Sequence, residues 1–170
     1  MRLGTVATLI ALTALATPLC AAQPLGTKAM IAKAVTREVR SDFTRHSQTE
    51  IQAAISARDI NADGLQDWQV DYSSLGAAWC GTGGCRYQLW LGRKNGVPKL
   101  VFDRQMRELK VTRKNGAIIF VFDFHGSECG GFGSEACPGE FAWSAKRGRM
   151  VLLPSPKRHT AISDPIGFGQ

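Results

Sequence analysis

Oxygen-bearing side chains recur at alternate positions in one short segment of the sequence, and a glycine follows the third of them. Calcium prefers about six to eight oxygen ligands, and alternate residues of a tightly wound loop can point their side chains inward together. Gly64 supplies the sharp turn, and Leu65 would add its backbone carbonyl. The sequence therefore predicts a structural calcium ion held by Asp59, Asn61, Asp63, Leu65 and Asp67.

This calcium-type loop departs from an EF-hand, because Val70 stands where the bidentate glutamate belongs and a strand is predicted to follow it. The pattern resembles the Asp-x-Asn-x-Asp-Gly-x-x-Asp loops that lead into a strand in FG-GAP-type repeats and related secreted β modules. Without the glutamate we expect a modest affinity, about 10⁻⁴–10⁻³ M, which suits a structural site. The alternative is that these residues only build turns.

The cysteines are the second chemical feature. Apart from Cys20, four of the five remain, and an even number in an oxidising compartment predicts two disulfides with three possible connectivities. The local pairs Cys80–Cys85 and Cys129–Cys137 are favoured because each segment is rich in glycine and closes a small ring. A four-thiolate zinc site is the alternative, although zinc ligand pairs usually sit about two to four residues apart.

A glycine-rich segment lies between Cys80 and Cys85, and its backbone is able to turn several N–H groups toward an anion. The segment lacks the Lys-Ser/Thr ending of a nucleotide-binding loop, so a nucleotide is not expected. The main interpretation is a tight turn pinned by a disulfide, and the alternative is contact with an anion or a glycan. The possible partner-contact residues are Gly81, Thr82, Gly83, Gly84 and His125.

Asp123, His125 and Ser127 alternate along the chain and would share one face of an extended segment. Alternate residues of a strand stand roughly 7 Å apart, which is too far for the hydrogen-bonded relay of a hydrolase. We therefore expect His125 to cap the exit of a strand and predict no enzymatic activity.

The chain carries a formal net charge of +7, and its basic residues gather near predicted hairpin turns. The default interpretation is a protein surface with a modest positive excess. If the charge serves binding, the acidic partners in an envelope compartment would be lipopolysaccharide phosphates, anionic glycans or an acidic protein. Nucleic acid is not expected, because no motif that reads nucleic acid accompanies the charge. These basic residues are Arg93, Lys94, Arg104, Arg107, Lys110, Arg113, Lys114, Lys146, Arg147 and Arg149.

Residues 1–22 have the layout of a secretory signal peptide, with a positive start at Arg2, an apolar stretch from Val6 to Leu15 and small residues before Gln23. This predicts a periplasmic or secreted protein without a membrane span after cleavage. An uncleaved anchor and a lipid-modified Cys20 are the alternatives.

The elements that must position these residues follow from the periodicity of the apolar side chains. Thr27–Arg40 has the spacing of an amphipathic helix, whereas Ser47–Ser56 is ambiguous between helix and extended chain. From Trp68 the period changes to two, and Ala117–Phe124 has the composition of a central strand. With 44% hydrophobic and 21% charged residues the chain has the composition of a globular protein, which excludes a disordered chain, a coiled coil and a polytopic membrane protein.

We predict an α+β fold in which an N-terminal helical segment packs on an antiparallel meander of about six strands, stapled by two disulfides. One domain would span residues 23–153, and residues 154–170 would form a mobile tail. The tetrapeptide Arg-Lys-Asn-Gly occurs at Arg93–Gly96 and Arg113–Gly116, which predicts two hairpin turns of this meander.

The order of the calcium-type loop, the Trp79–Cys85 motif, the Tyr87–Trp90 strand and the segment His125–Trp143 is similar to an uncharacterised group of small secreted proteins of Gram-negative bacteria. That resemblance implies secretion and disulfides, and it implies no reaction. We expect a non-catalytic binding or stability module whose envelope partner is a protein or an anionic glycan. An inhibitor or immunity-type protein against an envelope-acting enzyme is the alternative, and a hydrolase is the third hypothesis.

Overall fold

The computed structural model describes residues 26–40, 45–133 and 135–154. The predicted signal peptide, and the predicted tail beyond residue 154, lie outside the described residues. Within the described ranges, none of the helices has the length and apolar character needed to cross a membrane.

Two helices precede the strands. The helix predicted over Thr27–Arg40 is confirmed as α1 (Gly26–Val39), whose apolar stripe is buried. The ambiguous segment begins as α2 (Gln48–Ala53), because Ser47 and Glu50 form a capping box in which each side chain accepts a hydrogen bond from the other residue's backbone N–H. The backbone hydrogen bond from Ser47 lowers the pKa of Glu50.

The strands form two antiparallel sheets. In the first sheet β2 pairs with β1 and β4, and β4 also pairs with β5 and the short β3. The second sheet has the order β6-β7-β8-β9. The first contains β1 (Ile55–Arg58), β2 (Asp67–Asp71), β3 (Cys80–Gly81), β4 (Gly84–Leu91) and β5 (Lys99–Met106); the second contains β6 (Glu108–Lys114), β7 (Ala117–Phe124), β8 (Cys137–Ser144) and β9 (Arg149–Leu152).

The α+β class is confirmed, but the prediction of one meander of about six strands was wrong. The described residues form nine strands in two sheets, because the chain changes sheet between β5 and β6, where only Arg107 intervenes. Core-facing side chains stand at even positions in β5 (Phe102 and Met106) and at odd positions in β6 (Leu109 and Val111), so the alternation shifts by one residue at Arg107. Such a shift marks a break between two strands, but it does not show that the second strand joins another sheet. The backbone N–H of Arg107 donates to the carbonyl of Asp123 at 2.8 Å, which joins this corner to the second sheet.

One core lies between the two sheets, and the other face of the first sheet packs on the helices. On β4 this alternation is explicit, since Leu89 enters the core between the sheets whereas Gln88 faces Glu38 of α1. The core between the sheets includes Leu89, Phe102, Met106, Phe120, Phe122, Phe124, Phe141 and Met150. The helix-side core includes Ile31, Val35, Val39, Ile51, Ile55, Val70, Tyr72 and Leu75.

Both Arg-Lys-Asn-Gly segments lie between paired strands, but in different sheets. Asn115 and Gly116 join β6 to β7 with φ angles of 51° and 80°, as a tight hairpin turn with two positive φ values requires. In the longer β4–β5 connection Gly96 has a positive φ of 76°, and its N–H bonds to the Arg93 carbonyl at 2.8 Å.

Candidate functional site

The cysteines form the two local disulfides that were favoured from the sequence. Cys80–Cys85 closes the turn between β3 and β4, where the two cysteines stand opposite each other in the strand register. Cys129–Cys137 closes the loop that leads from the end of β7 to the start of β8. Each bond therefore holds one exposed connection at the end of a sheet.

The two disulfide-closed loops meet at His125. A Cβ atom added to Gly83 would lie 3.5 Å from the His125 Cβ, and one added to Gly133 would lie 2.4 Å from the His125 Nε2. Thr82 Oγ1 stands 3.4 Å from that same nitrogen. The His125 imidazole therefore lies between the two loops. The predicted contact residues Thr82, Gly83 and His125 come together there.

The other two predicted contact residues face β5. A Cβ atom on Gly84 would lie 2.0 Å from the Met106 carbonyl oxygen, and Gly84 has a φ of 94°, so only glycine fits there. The Gly84 carbonyl accepts a bond from Gln105 Nε2 at 2.7 Å, and a Cβ on Gly81 would lie 3.0 Å from the same nitrogen. Gly84 therefore anchors the turn to the sheet, whereas Gly81 stays exposed.

Ser127 lies much closer to His125 than the sequence predicts. The His125 Nδ1 and the Ser127 Oγ are hydrogen-bonded at 2.7 Å, so the expectation of a wide separation was wrong. The reason is that the extended chain ends at His125 and continues as a 3₁₀ turn over Gly126–Cys129, in which the Glu128 N–H bonds to the His125 carbonyl at 2.9 Å.

Asp123 points away from this pair. Its Oδ1 accepts the backbone N–H of Cys137 at 2.8 Å, and its Oδ2 lies 3.9 Å from Arg107 Nε. The second ring nitrogen of His125 faces the Thr82 hydroxyl, whereas a hydrolytic triad places a carboxylate there to orient the ring. The described contacts therefore give a histidine–serine pair in which the orienting position is occupied by a hydroxyl.

The guanidinium group of Arg107 holds the Cys129–Cys137 loop in place through hydrogen bonds to the backbone. Arg107 Nη2 donates to three backbone carbonyls, those of Phe124 at 3.0 Å, Gly133 at 3.0 Å and Glu135 at 2.5 Å. The sequence analysis placed Arg107 among the surface charges. Its position at the corner between β5 and β6 brings it under the loop instead.

This loop presents Phe132 to solvent with 79% of the residue exposed. The sequence analysis missed Phe132, although a large aromatic residue among glycines between two cysteines was visible there as a signal. Beside the loop, Arg104 pairs with Glu128 at 3.1 Å. We name Thr82, Gly83, His125, Ser127 and Phe132 the two-loop surface.

The calcium-type loop lies at the opposite ends of β4 and β7. The side chains of Asp59, Asn61 and Asp63 accept backbone N–H bonds from Ala62, Asp63 and Leu65 at 2.9, 3.2 and 2.8 Å. These are the turn bonds that the alternative interpretation requires. In addition, Asn61 Nδ2 donates to Asp63 Oδ2 at 2.8 Å, so two of the predicted calcium ligands are hydrogen-bonded to each other.

Asp67 fastens this loop to the sheet. The residue is fully buried, and its two carboxylate oxygens accept the N–H groups of Ile60 at 2.9 Å and Gly92 at 2.8 Å. Burial, helped by the charges of Asp63 and Asp59 and opposed by the two backbone bonds, raises the pKa of Asp67 from 3.8 to about 6. Asp63 and Asp59 are therefore close enough to Asp67 to repel its charge.

Whether the loop takes calcium stays a prediction. Its donors are the oxygens that calcium prefers, and their mutual repulsion is what a cation relieves. Asp59 also pairs with Arg113 at 3.1 Å. Across the part of the chain that the structure describes, no three His, Cys, Asp or Glu side chains are arranged to share a metal ion.

Several of the basic residues are engaged within the chain. Lys110 pairs with Glu108 at 2.7 Å and Lys114 with Glu140 at 2.5 Å, in addition to the pairs of Arg104 and Arg113. Together with Arg107, five of the ten predicted surface charges are therefore engaged in contacts within the chain.

Two cavities lie away from His125. One of about 330 Å³ separates the ends of β1 and β6 and is lined by Arg58, Asp59 and Arg113 among others. The other, of about 410 Å³, lies between α1 and α2.

No protein-family model, curated protein or solved structure matches the chain. The resemblance to FG-GAP-type loops and to small secreted Gram-negative proteins stays a prediction from the motifs. Function is therefore inferred from the residues of the site.

Proposed function

We propose that this protein is a non-catalytic binding module of the periplasm or the extracellular space, and that it binds through the two-loop surface. The observation that carries the proposal is the convergence of both disulfide-closed loops on His125. Loops held on a rigid scaffold commonly carry binding residues, because their shape is fixed before the partner arrives.

The compartment is supported by the covalent framework. Disulfides persist in oxidising compartments and are rare in the cytosol of most organisms. Both bonds are local, and the predicted signal peptide would deliver the chain to such a compartment.

Binding at the two-loop surface is tested by capture from periplasmic extract with the mature protein immobilised. We expect a partner to be retained by the wild type and by Val97→Arg, which changes an exposed residue at the opposite end of β4, and to be lost with Thr82→Arg. Retention of the same partner by Thr82→Arg would place the interface elsewhere and contradict the proposal.

We also propose that the calcium-type loop is structural. A bound ion would be held by Asp59, Asn61, Asp63, the Leu65 carbonyl and Asp67, and it would offset the repulsion among the carboxylates. The loop is joined by Asp67 to Gly92 after β4, so an ion there would stiffen the end of the sheet opposite to the two-loop surface.

Calcium should therefore raise the melting temperature, and Asp63→Ala should abolish the rise, whereas Glu108→Ala, at an exposed acid on β6, should keep it. A site bound only in the folded state adds about 2.7 kcal/mol when calcium is at 100 times the Kd. Since Asp67 is protonated below its pKa of about 6, the gain should shrink as the pH falls from about 7.5 to about 5. Equal melting in millimolar calcium and in chelator would leave only the turn interpretation.

The alternative function is an inhibitor or immunity-type protein that blocks an envelope-acting enzyme. The observation that favours it is the rigid Cys129–Cys137 loop with its exposed Phe132, since an inhibitory loop must keep its shape inside the cleft of an enzyme. If the captured partner is an enzyme and loses turnover when the protein is added, this narrower function is supported.

A further inference from the structure

Phe132 is the large hydrophobic residue that the described chain exposes most. It is 79% exposed, compared with 46% for Val97 and 44% for Met30. By contrast, phenylalanines of the core between the sheets, such as Phe102 and Phe120, are only 1% exposed. Burial of a phenylalanine side chain stabilises a folded chain, and the exposed Phe132 does not make that contribution in the free protein.

The backbone on both sides of Phe132 is fixed. The Gly131 N–H bonds to the Gly126 carbonyl at 3.0 Å, and the Glu135 N–H bonds to the Phe132 carbonyl at 3.0 Å. A Cβ atom on Gly126 would lie 1.8 Å from the Phe132 oxygen, so the loop packs directly on the 3₁₀ turn. Together with the bonds from Arg107, these contacts fix the backbone that carries the exposed ring.

We propose that Phe132 is the anchor by which the two-loop surface enters a preformed apolar pocket of a partner protein. The inference rests on the proposed function and names the contact that gives it affinity. Aromatic side chains are frequent hot spots, and a loop ordered in advance loses little conformational entropy on binding. Thr82, Ser127 and His125 would then form a polar rim beside the anchor.

The charges near the ring favour a protein over an anionic glycan or a lipid surface. Arg104 pairs with Glu128, and Arg107 donates to three backbone carbonyls around the loop, so these two cations are engaged within the chain. Glu135 adds an exposed acid to the same loop. Anionic lipids and glycans are bound by free Lys and Arg side chains, whereas an apolar pocket requires only the ring.

The test places a photoreactive benzoylphenylalanine at position 132 of the secreted protein, where it resembles the natural side chain. The same group at Thr82 reports on the rest of the two-loop surface, and at Val97 it serves as the control at the opposite end. We expect a discrete protein adduct from position 132 after irradiation of intact cells, and none from position 97. In the capture assay Phe132→Ser should lower partner retention about 30-fold, while Phe132→Leu should restore most of it.

The outcomes separate this inference from the function on which it rests. An adduct from position 82 without one from position 132 would overturn the anchor and leave the binding surface in place. Adducts from neither position, with a partner cross-linked only at position 97, would overturn both. A lipid or glycan adduct from position 132 would overturn the assignment of a protein partner.

Discussion

Replacing Arg86 by methionine should destabilise the protein by about 3–5 kcal/mol, because it leaves a buried carboxylate without its cation. Arg86 is 8% exposed and Asp103 is 2% exposed, and they form two parallel bonds of 2.7 and 2.5 Å. Burial opposes the charge on Arg86, but the bonds and the charge of Asp103 outweigh it and raise the pKa of the guanidinium.

Arg86 and Asp103 belong to a larger polar cluster, and a methionine at position 86 could not make the hydrogen bonds that Arg86 makes in it. Arg86 Nη1 also bonds to Glu38 at 3.1 Å, and Glu38 accepts from the Tyr72 hydroxyl. Gln88 Nε2 donates to Asp103 at 3.1 Å and to Glu38 at 3.3 Å. Burial, followed by the charge of Glu38, raises the pKa of Tyr72. The cluster joins α1 to β4 and β5, so its loss would loosen the helix as well.

Urea unfolding of the wild type and Arg86→Met measures this effect, with Arg93→Met as the control at an exposed arginine. The double variant Arg86→Met/Asp103→Leu should recover part of the loss, because it replaces the ion pair with apolar side chains. A difference below about 1 kcal/mol between the wild type and Arg86→Met would contradict the interpretation of a buried, mutually dependent pair.

The second large effect is expected for Phe141→Ala, at about 3–5 kcal/mol. Phe141 is 1% exposed on β8, and its ring lies 5.3 Å from that of Phe102 and 5.0 Å from that of Phe122. Because Phe102 belongs to the first sheet and Phe122 to the second, the Phe141 side chain packs between the two sheets.

Phe132→Ala is the matched control for this prediction, since it removes the same atoms from an exposed position and should change the free energy of unfolding by less than about 0.5 kcal/mol. Both variants are compared by urea unfolding with a shared slope. Similar losses for the two variants would show that Phe132 is buried and that the assignment of the core is wrong.

The features that the sequence predicted are local. The α1 helix and the strand Ala117–Phe124 follow from apolar periods within one element, and β7 has the predicted bounds. The disulfide pairs were favoured because each closes a short ring, and the structure confirms both. Each of these depends on residues fewer than about fifteen positions apart, where chain geometry constrains the outcome.

The features that were missed depend on distant parts of the chain or on a local departure from strand geometry. The alternation of side chains shifts by one residue at Arg107, which marks a break between strands but does not show that the chain changes sheet there. The contact between His125 and Ser127 required the 3₁₀ turn after β7, whereas a strand geometry was assumed. The pairing of Arg86 with Asp103 joins two strands whose register the sequence does not specify.

The candidate site shows the same division. Thr82, Gly83 and His125 were predicted as contact residues from two distant segments, and the fold brings them together. The exposure of Phe132 depends on how Arg107 holds the loop from another sheet corner, which local composition does not show.

Absence of catalysis at the His125–Ser127 pair is the claim on which the binding interpretation depends most. The direct measurement is turnover of esterase, amidase and muramidase substrates by the mature protein, compared with His125→Ala and Ser127→Ala. We predict that the wild type shows no turnover above that of the two variants, because the ring nitrogen that would be oriented by a carboxylate faces Thr82 instead. Turnover by the wild type that disappears in both variants, with their folds intact, would contradict the account.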